Sequence, residues 1–214
     1  MKQYFILAVF LMALTGCTVT ANSKTEIAPY TIIESAESNI EVRTYEQMIL
    51  ASTPMDTTEN RDGAFMRLFR YISGQNTEQS EIAMTAPVFM DEKSKGQKIP
   101  MTAPVFMDRE TSETKPMMSF VMPSDFTLQN TPEPKDETVT VTEVKNWKVA
   151  AIRFNGRMSE NNIQKHKKIL EKWVLDNGYK ATGPYQTAGY NAPYTLPMLR
   201  RNEVLIPVEK KETN

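Results

Sequence analysis

The sequence has little of several residue types on which common functions depend. It contains one cysteine and one histidine in 214 residues, so no intrachain disulfide and no Cys-x-x-Cys or His-x-x-x-His metal pair is available. His166 has no nucleophile motif beside it and no glycine-rich phosphate loop is present, so no catalytic constellation is recognisable. The 25 basic and 26 acidic side chains nearly cancel, which provides no general field for nucleic acid. We therefore expect neither an enzyme nor a nucleic-acid-binding protein.

Long apolar runs are also scarce, and the one present lies at the N-terminus. Residues 4–14 follow Lys2 and are too short to span a bilayer comfortably, which is typical of a signal peptide. The sequence Leu-Thr-Gly-Cys that ends at Cys17 resembles a bacterial lipobox. This resemblance predicts cleavage of a lipoprotein signal peptide, residues 1–16, and diacylation of the Cys17 thiol. The alternative is an ordinary signal peptide with an incidental cysteine.

The lipid would be the sole membrane attachment, because no second apolar run approaches membrane-spanning length. Residues 17–28 would comprise the anchor and a polar tether that lets the folded domain stand off the bilayer. Similarity to sorted lipoproteins, with Thr18 rather than aspartate after the cysteine, favours the outer membrane. We expect a lipid-anchored protein of the bacterial cell envelope that faces the periplasm.

Ten residues occur twice, almost letter for letter, at 82–91 and 99–108. Both copies contain Met-Thr-Ala-Pro-Val-Phe-Met-Asp, and a polar, glycine-containing connector, residues 91–97, joins them. Two β-prone segments joined in this way predict an antiparallel pair of strands. Pro87 and Pro104 cannot donate to a strand ladder, so each is expected at an edge, a bulge or a strand start.

The first half of the folded region, about 29–122, is predicted to contain strands at 30–35, 40–45, 47–53 and 117–122. A helix over 60–73 is expected to end at Gly74. Its apolar stripe follows the i, i+3, i+4, i+7 spacing and contains Phe65, Leu68, Phe69 and Ile72.

The second half, about 138–208, repeats this plan. We predict strands at 138–144, 147–154, 185–190 and 202–208, and a helix that starts after Ser159 and reaches about 177. A polar connector, 123–137, joins the halves, and residues 209–214 form a polar tail. The pattern predicts an α+β domain over 29–208 in which two helices pack on a largely antiparallel sheet.

Five separated motifs resemble the SOUL haem-binding protein family. They are the helix Phe-Met-Arg-Leu-Phe-Arg-Tyr-Ile-Ser-Gly at 65–74 with the following Met-Thr-Ala-Pro-Val, and the segments at 119–123, 152–156, 189–193 and 200–204. The doubled Met-Thr-Ala-Pro-Val looks like the form found in bacterial members. The resemblance implies a pseudo-twofold α+β fold, a distorted antiparallel barrel flanked by two helices. It also implies tetrapyrrole binding in an apolar cleft beside the first helix and the loop before the last strand.

The resemblance points to a small set of haem-binding residues. Met66 and Arg70, with Arg67 beside them, would present an apolar surface and guanidinium groups that suit a flat ring with carboxylates. The second wall would be formed by Tyr194, Leu196 and Met198. Better-known animal members carry a lysine in this loop, and this sequence does not. An ordinary solvated helix face remains the alternative for the first wall, and a cap on the barrel end for the second.

His166 is the candidate axial ligand for haem iron, because neutral imidazole binds iron. A histidine at the margin of an apolar helix face is more often structural, so we expect binding without a strong axial bond. The mixed charges of Arg200, Arg201 and Glu203 before the last strand predict a salt-bridge network rather than a ligand site.

The hypothesis from the sequence is reversible binding of haem or a related tetrapyrrole by a membrane-anchored carrier or buffer. Two alternatives stay open. The same cleft would hold another hydrophobic small molecule or lipid, or the chain would be a structural envelope protein with a vestigial cleft.

Overall fold

The computed structural model describes residues 25–36, 39–55, 62–77, 96–108 and 115–211. These residues form two helices, α1 (Asp62–Ile72) and α2 (Glu160–Asp176), and a single 3-10 turn at Pro197–Leu199. The strands are β1 (Thr31–Ala36), β2 (Ile40–Pro54), β3 (Asn76–Thr77), β4 (Val105–Asp108), β5 (Met117–Val121), β6 (Glu133–Pro134), β7 (Thr140–Phe154), β8 (Tyr179–Ala181), β9 (Gln186–Gly189) and β10 (Asn202–Lys210). Within the described residues, no helix combines the length and apolarity needed to cross a bilayer.

The main sheet closes into an antiparallel barrel, as the sequence predicted. Its strand order is β1-β2-β5-β4-β9-β10-β7, β8 adds to β10, and pairing of β2 with β7 closes the ring. The two closing strands are each 15 residues long and each precedes a helix, which is the predicted pseudo-twofold plan. The small pair β3–β6 lies apart from the barrel and was not predicted.

Four of the predicted strands join in pairs to form two long strands, β2 and β7. The predictions at 40–45 and 47–53 merge into β2, and those at 138–144 and 147–154 merge into β7. Asn146 has a left-handed φ of 50°, which asparagine tolerates, but the pairing register of Tyr45 with Trp147 continues unchanged to Gln47 with Lys145. Glu46, Lys145 and Asn146, which separated the predicted strands, therefore lie inside continuous strands. The last strand also extends into the predicted tail, because Glu209 and Lys210 pair with β8.

Both helices pack on the outer face of the barrel. The α1 helix buries Leu68, Tyr71 and Ile72 against β2 and β5, and α2 buries Leu170 and Val174 against β7, β8 and β10. Phe69, which the sequence assigned to the buried stripe, is instead 42% exposed. The buried stripe is centred on the Leu68 side of the helix and includes Ala64 and Tyr71, so Phe69 lies beyond its edge.

The second copy of the repeat forms β4, which follows Pro104 directly. Residues Val105–Met107 pair with β5 on one side and with β9 on the other. Both edges of β4 are therefore occupied, so the predicted strand pair between the two copies does not form along these residues. The first copy, residues 82–91, lies outside the described part of the chain, as does Pro87.

Candidate functional site

The outer face of α1 carries an exposed apolar surface. Met66 and Phe69 are each 42% exposed. The ring of Phe69 stacks on that of Phe65, with centroids 6.1 Å apart and an interplanar angle of 12°, and Phe65 contacts Phe120 of β5 edge-on at 5.3 Å. The helix thus presents stacked rings and a thioether to solvent. Phe69 belongs to this surface and was missed because the sequence placed it in the core.

Arg70 lies next to this apolar surface, whereas Arg67 does not take part in it. The exposed Arg70 side chain makes no hydrogen bond or ion pair with another described residue. The Arg67 Nε donates to Thr53 Oγ1 at 3.0 Å, and its Nη2 donates to the carbonyl oxygen of Pro54. The structure therefore directs Arg67 to β2 and keeps Met66, Phe69 and Arg70 together.

The predicted second wall is an exposed loop between β9 and β10. Tyr194 is 90% exposed, and Leu196 and Met198 are more than half exposed. The backbone is nevertheless held in place. The Gly156 N–H donates to the Pro197 carbonyl at 2.8 Å, Asn155 Nδ2 donates to the Met198 carbonyl at 3.0 Å, and Arg200 Nε donates to the Thr195 carbonyl at 2.8 Å. Apolar side chains on a fixed backbone form a preorganised surface.

The sheet places this loop close to α1. Val105 of β4 pairs with Phe120 of β5 on one side and with Gly189 of β9 on the other. Two strand spacings, roughly 10 Å, therefore separate Phe120, which contacts Phe65, from Gly189, where the loop starts. Val105 and Met158 pack against the same buried cluster as Phe65. Partly buried apolar side chains therefore form a shallow floor between α1 and the loop.

His166 lies away from α1 but near the loop between β9 and β10, because its ring partner Phe154 directly precedes Asn155, which donates to the Met198 carbonyl. Its ring stacks on Phe154 at 4.3 Å, and Phe154 lies four strand spacings from Phe120, roughly 19 Å along the sheet. His166 Nδ1 is 2.7 Å from the Asn162 carbonyl oxygen, which can only accept, so Nδ1 is the donor in this contact. A groove of about 720 Å³ borders the ring and includes Arg153 and Lys165. Among the described residues, no group of three or more His, Cys, Asp or Glu side chains forms a metal site.

The barrel interior is filled by the protein's own side chains. Tyr45, Phe106 and Trp147 contact one another with ring centroids 5.5 to 6.3 Å apart. Beside them Arg43, fully buried, donates to Glu203, and its guanidinium lies 4.3 Å from the centroid of the Tyr30 ring. These side chains fill the middle of the barrel, and a pocket of about 440 Å³ lined by Tyr30, Arg201 and Glu203 opens at its end.

Glu203 is the anion that organises this interior. Its carboxylate accepts hydrogen bonds from Arg43, from Tyr190 Oη at 2.7 Å and from Arg201 Nε at 2.8 Å. Burial raises the pKa of the Glu203 carboxyl, but the two guanidinium groups outweigh burial and hold the pKa below its ordinary value. Burial also raises the pKa of Tyr45 to about 12. The predicted charge network at Arg201 and Glu203 is confirmed, and its buried partner Arg43 was not foreseen.

An antiparallel barrel with two outer helices and an apolar, cationic outer face defines the class of small α+β ligand-binding domains. The chain belongs to the SOUL haem-binding protein family, whose model matches residues 25–96 and 89–207. The first matched range contains one copy of the repeat and the second range contains the other. No curated protein sequence matches the chain.

Solved structures of low sequence identity share the fold. The EcmrR–DNA complex has a TM-score of 0.54 at 14% identity, over 80% of this chain and 57% of that chain. An uncharacterised conserved protein from Listeria innocua has a TM-score of 0.52 at 10% identity, over 82% and 94% of the two chains. A hydrolase from Listeria innocua has a TM-score of 0.50 at 12% identity, again over 82% and 94%. The chain spans little more than half of the EcmrR chain.

Proposed function

We propose that this protein binds haem or a related tetrapyrrole reversibly on the outer face of α1, as a carrier or buffer without a strong axial ligand. The observation that carries the proposal is the surface of Met66, Phe69 and Arg70. Exposed apolar and aromatic side chains offer contact area for a macrocycle face, and the exposed Arg70 has no described hydrogen bond to break before it binds a propionate. Tyr194, Leu196 and Met198 lie across the shallow floor and supply the opposite wall.

Apolar contact alone supports useful affinity. Micromolar binding corresponds to about −8 kcal/mol. At about 25 cal/mol per Å² this equals burial of roughly 330 Å² of apolar surface, before the entropy cost of association. A ligand held in this way leaves readily, which suits a carrier.

We expect Arg70→Gln to weaken haem binding about tenfold, because one charge-assisted hydrogen bond to a propionate is lost. The measurement is a Soret-band titration of residues 18–214. Lys172→Gln is the matched control, since Lys172 is an exposed cation on α2 that pairs with Asp176. Unchanged affinity of the Arg70 variant would reject this site, and absence of any saturable Soret change at tens of micromolar haem would reject haem binding.

The same titration separates the α1 surface from the His166 groove. Without an axial bond, iron-free protoporphyrin should bind within a few-fold of haem, and His166→Ala should bind both ligands normally. Strong preference for the iron form, abolished in His166→Ala, would instead place the ligand at the groove beside the His166 ring.

A hydrophobic molecule other than a porphyrin is the second candidate, because the shallow floor and exposed loop impose no iron chemistry. Native mass spectrometry of protein purified from its host distinguishes the two by the mass of the ligand that co-purifies. A third outcome, no ligand and no Soret change, would leave a structural role in the envelope.

We also propose that the mature chain begins at Cys17, carries a lipid there and lies in the cell envelope at the outer membrane. Growth with labelled palmitate should label the wild-type chain, and Cys17→Ala should lose the label because the chain has no other thiol. Persistent labelling of the variant would contradict the anchor.

A further inference from the structure

Exposed apolar side chains gather at one end of the barrel. The loop between β9 and β10 exposes Leu199 as well as Tyr194, Leu196 and Met198, each of them at least 60% exposed. Ile27 and Met101 are exposed near the start of β4. Single exposed apolar residues are ordinary, but this many at one end of a domain marks a contact surface.

The N-terminal segment leaves the domain at the same end. Ile27 forms a parallel bridge with Ala103, and Ala28 N–H donates to the Ala103 carbonyl at 2.8 Å. Two positions further along the chain, Val105 pairs with Gly189, the last residue of β9. Continued by two residues, this antiparallel register brings Ala103 beside Asn191, where the exposed loop begins.

The chain length limits how far this end can lie from a lipid on Cys17. Seven residues lie between Cys17 and Thr25, the first described residue, and the eight steps from one Cα to the next span at most about 28 Å when fully extended. If the chain between Cys17 and Thr25 is less than fully extended, the loop between β9 and β10 reaches the bilayer. The tether therefore favours an orientation in which this end, rather than the opposite one, faces the membrane.

The chemistry of the loop suits a bilayer surface. Tyrosine is favoured at the interface between lipid and water, and leucine and methionine side chains gain free energy in the acyl region. Arg157 is exposed next to Gly156, which holds the loop backbone, and Arg200 braces the loop from its other side. Such cations attract anionic lipid head groups.

We propose that the barrel end with Tyr194, Leu196, Met198 and Leu199 docks into the membrane to which the chain is tethered. The proposal rests on the proposed lipid anchor, and because Tyr194, Leu196 and Met198 are also the second wall proposed for haem, docking is tested without haem. The loop would enter the head-group region with its apolar side chains toward the acyl chains, and α1 would lie close to the surface.

The test places a fluorescent probe in the loop of the acylated full-length mature chain. Because Cys17 would be acylated, Leu196→Cys supplies the only free thiol for a nitrobenzoxadiazole label. The vesicles contain phosphatidylethanolamine and phosphatidylglycerol, with or without doxyl-labelled lipid, and no haem. Lys180→Cys is the control, since β8 pairs with the far end of β10, about 27 Å from Asn202.

We expect doxyl lipid to quench the Leu196 probe at least threefold more than the Lys180 probe. In the chain labelled through Leu196→Cys, adding Leu199→Asp should reduce this quenching by half or more. Adding Leu175→Asp should not, although Leu175 on α2 is about as exposed as Leu199. Equal quenching of the two probes in a palmitate-labelled chain would overturn docking and leave the anchor intact. Loss of palmitate labelling would overturn both. A loop shielded without quenching would indicate contact with a second copy and would also overturn docking.

Discussion

Replacing Arg43 with methionine is expected to lower the free energy of unfolding by about 3 to 5 kcal/mol. The side chain is fully buried and donates to Glu41 at 2.7 Å and to Glu203. Without it, the buried Glu203 carboxylate keeps Arg201 but loses its principal counter-ion, and burial of a poorly compensated charge is costly. Urea unfolding followed by tryptophan fluorescence measures the change, since Trp147 lies 5.5 Å from Tyr45.

Arg153→Met is the matched control for this prediction. Arg153 is on β7, beside the barrel end, but its side chain is exposed, so the same substitution should change stability by less than about 0.5 kcal/mol. Arg43→Lys should recover part of the loss because it restores the charge without the paired donors. A loss below about 1 kcal/mol in Arg43→Met would show that the ion pair contributes little.

The same network predicts a direction for acid sensitivity. Because the folded-state pKa of Glu203 is lowered, its contribution to stability is present above the ordinary glutamate pKa, about 4.3, and is lost as the pH falls below it. In Arg43→Met this acid dependence should weaken, since the cation mainly responsible for lowering the pKa is gone.

Gly96→Ala is expected to lower the free energy of unfolding by about 3 kcal/mol. An added Cβ at position 96 would lie 1.9 Å from the carbonyl oxygen of Gly74 and 2.6 Å from that of Asn76. Backbone atoms cannot move aside as a flexible side chain can, so the chain beyond α1 must shift. That chain is fixed by Asn76, whose amide bonds to Tyr71 and Gln97 at 2.8 Å.

Gly183→Ala is the control for this glycine. The nearest atom to its added Cβ is Pro207 Cγ at 3.6 Å, an ordinary contact, so stability should stay within about 0.5 kcal/mol or rise slightly. Equal midpoints of urea unfolding for both variants would contradict the close approach of residue 96 to the Gly74 backbone.

The Arg43 substitution also bears on where a ligand can bind. Arg43, Glu203 and the aromatic rings fill the middle of the barrel, which favours an outer site for a macrocycle. A variant that emptied the interior without reducing haem affinity would further support the α1 surface.

Several features were predictable from the sequence because they depend on neighbours along the chain. Gly178 follows the last turn of α2 with a φ of +74°, a conformation in which glycine pays no steric penalty, and Gly74 after α1 has a φ of +107°. The helix period and the β-branched alternation located both helices and most strands. The family motifs predicted the barrel and its twofold plan.

Other features needed the folded chain. Arg67 and Arg70 are alike in sequence, yet Thr53 of a distant strand binds one of them and leaves the other without a described partner. Residues Val105–Met107 have a strong β pattern, but their partners in β9 are 80 or more positions away, and pairing with these partners prevents the repeated segments from pairing there. Long-range pairing is set by the closure of the whole barrel, which no local window contains.

The sequence by itself therefore determined the family, the element types and the list of residues from which a haem surface could be built. Tertiary structure decided which of those residues share a surface. Phe69 is exposed rather than buried, and Arg67 donates to β2 rather than facing the ligand surface. Phe154, on which His166 stacks, lies roughly 19 Å along the sheet from Phe120 beneath α1. The physical reason is that a helix stripe specifies only which side is apolar, whereas the strands beneath it select the side chains that are buried.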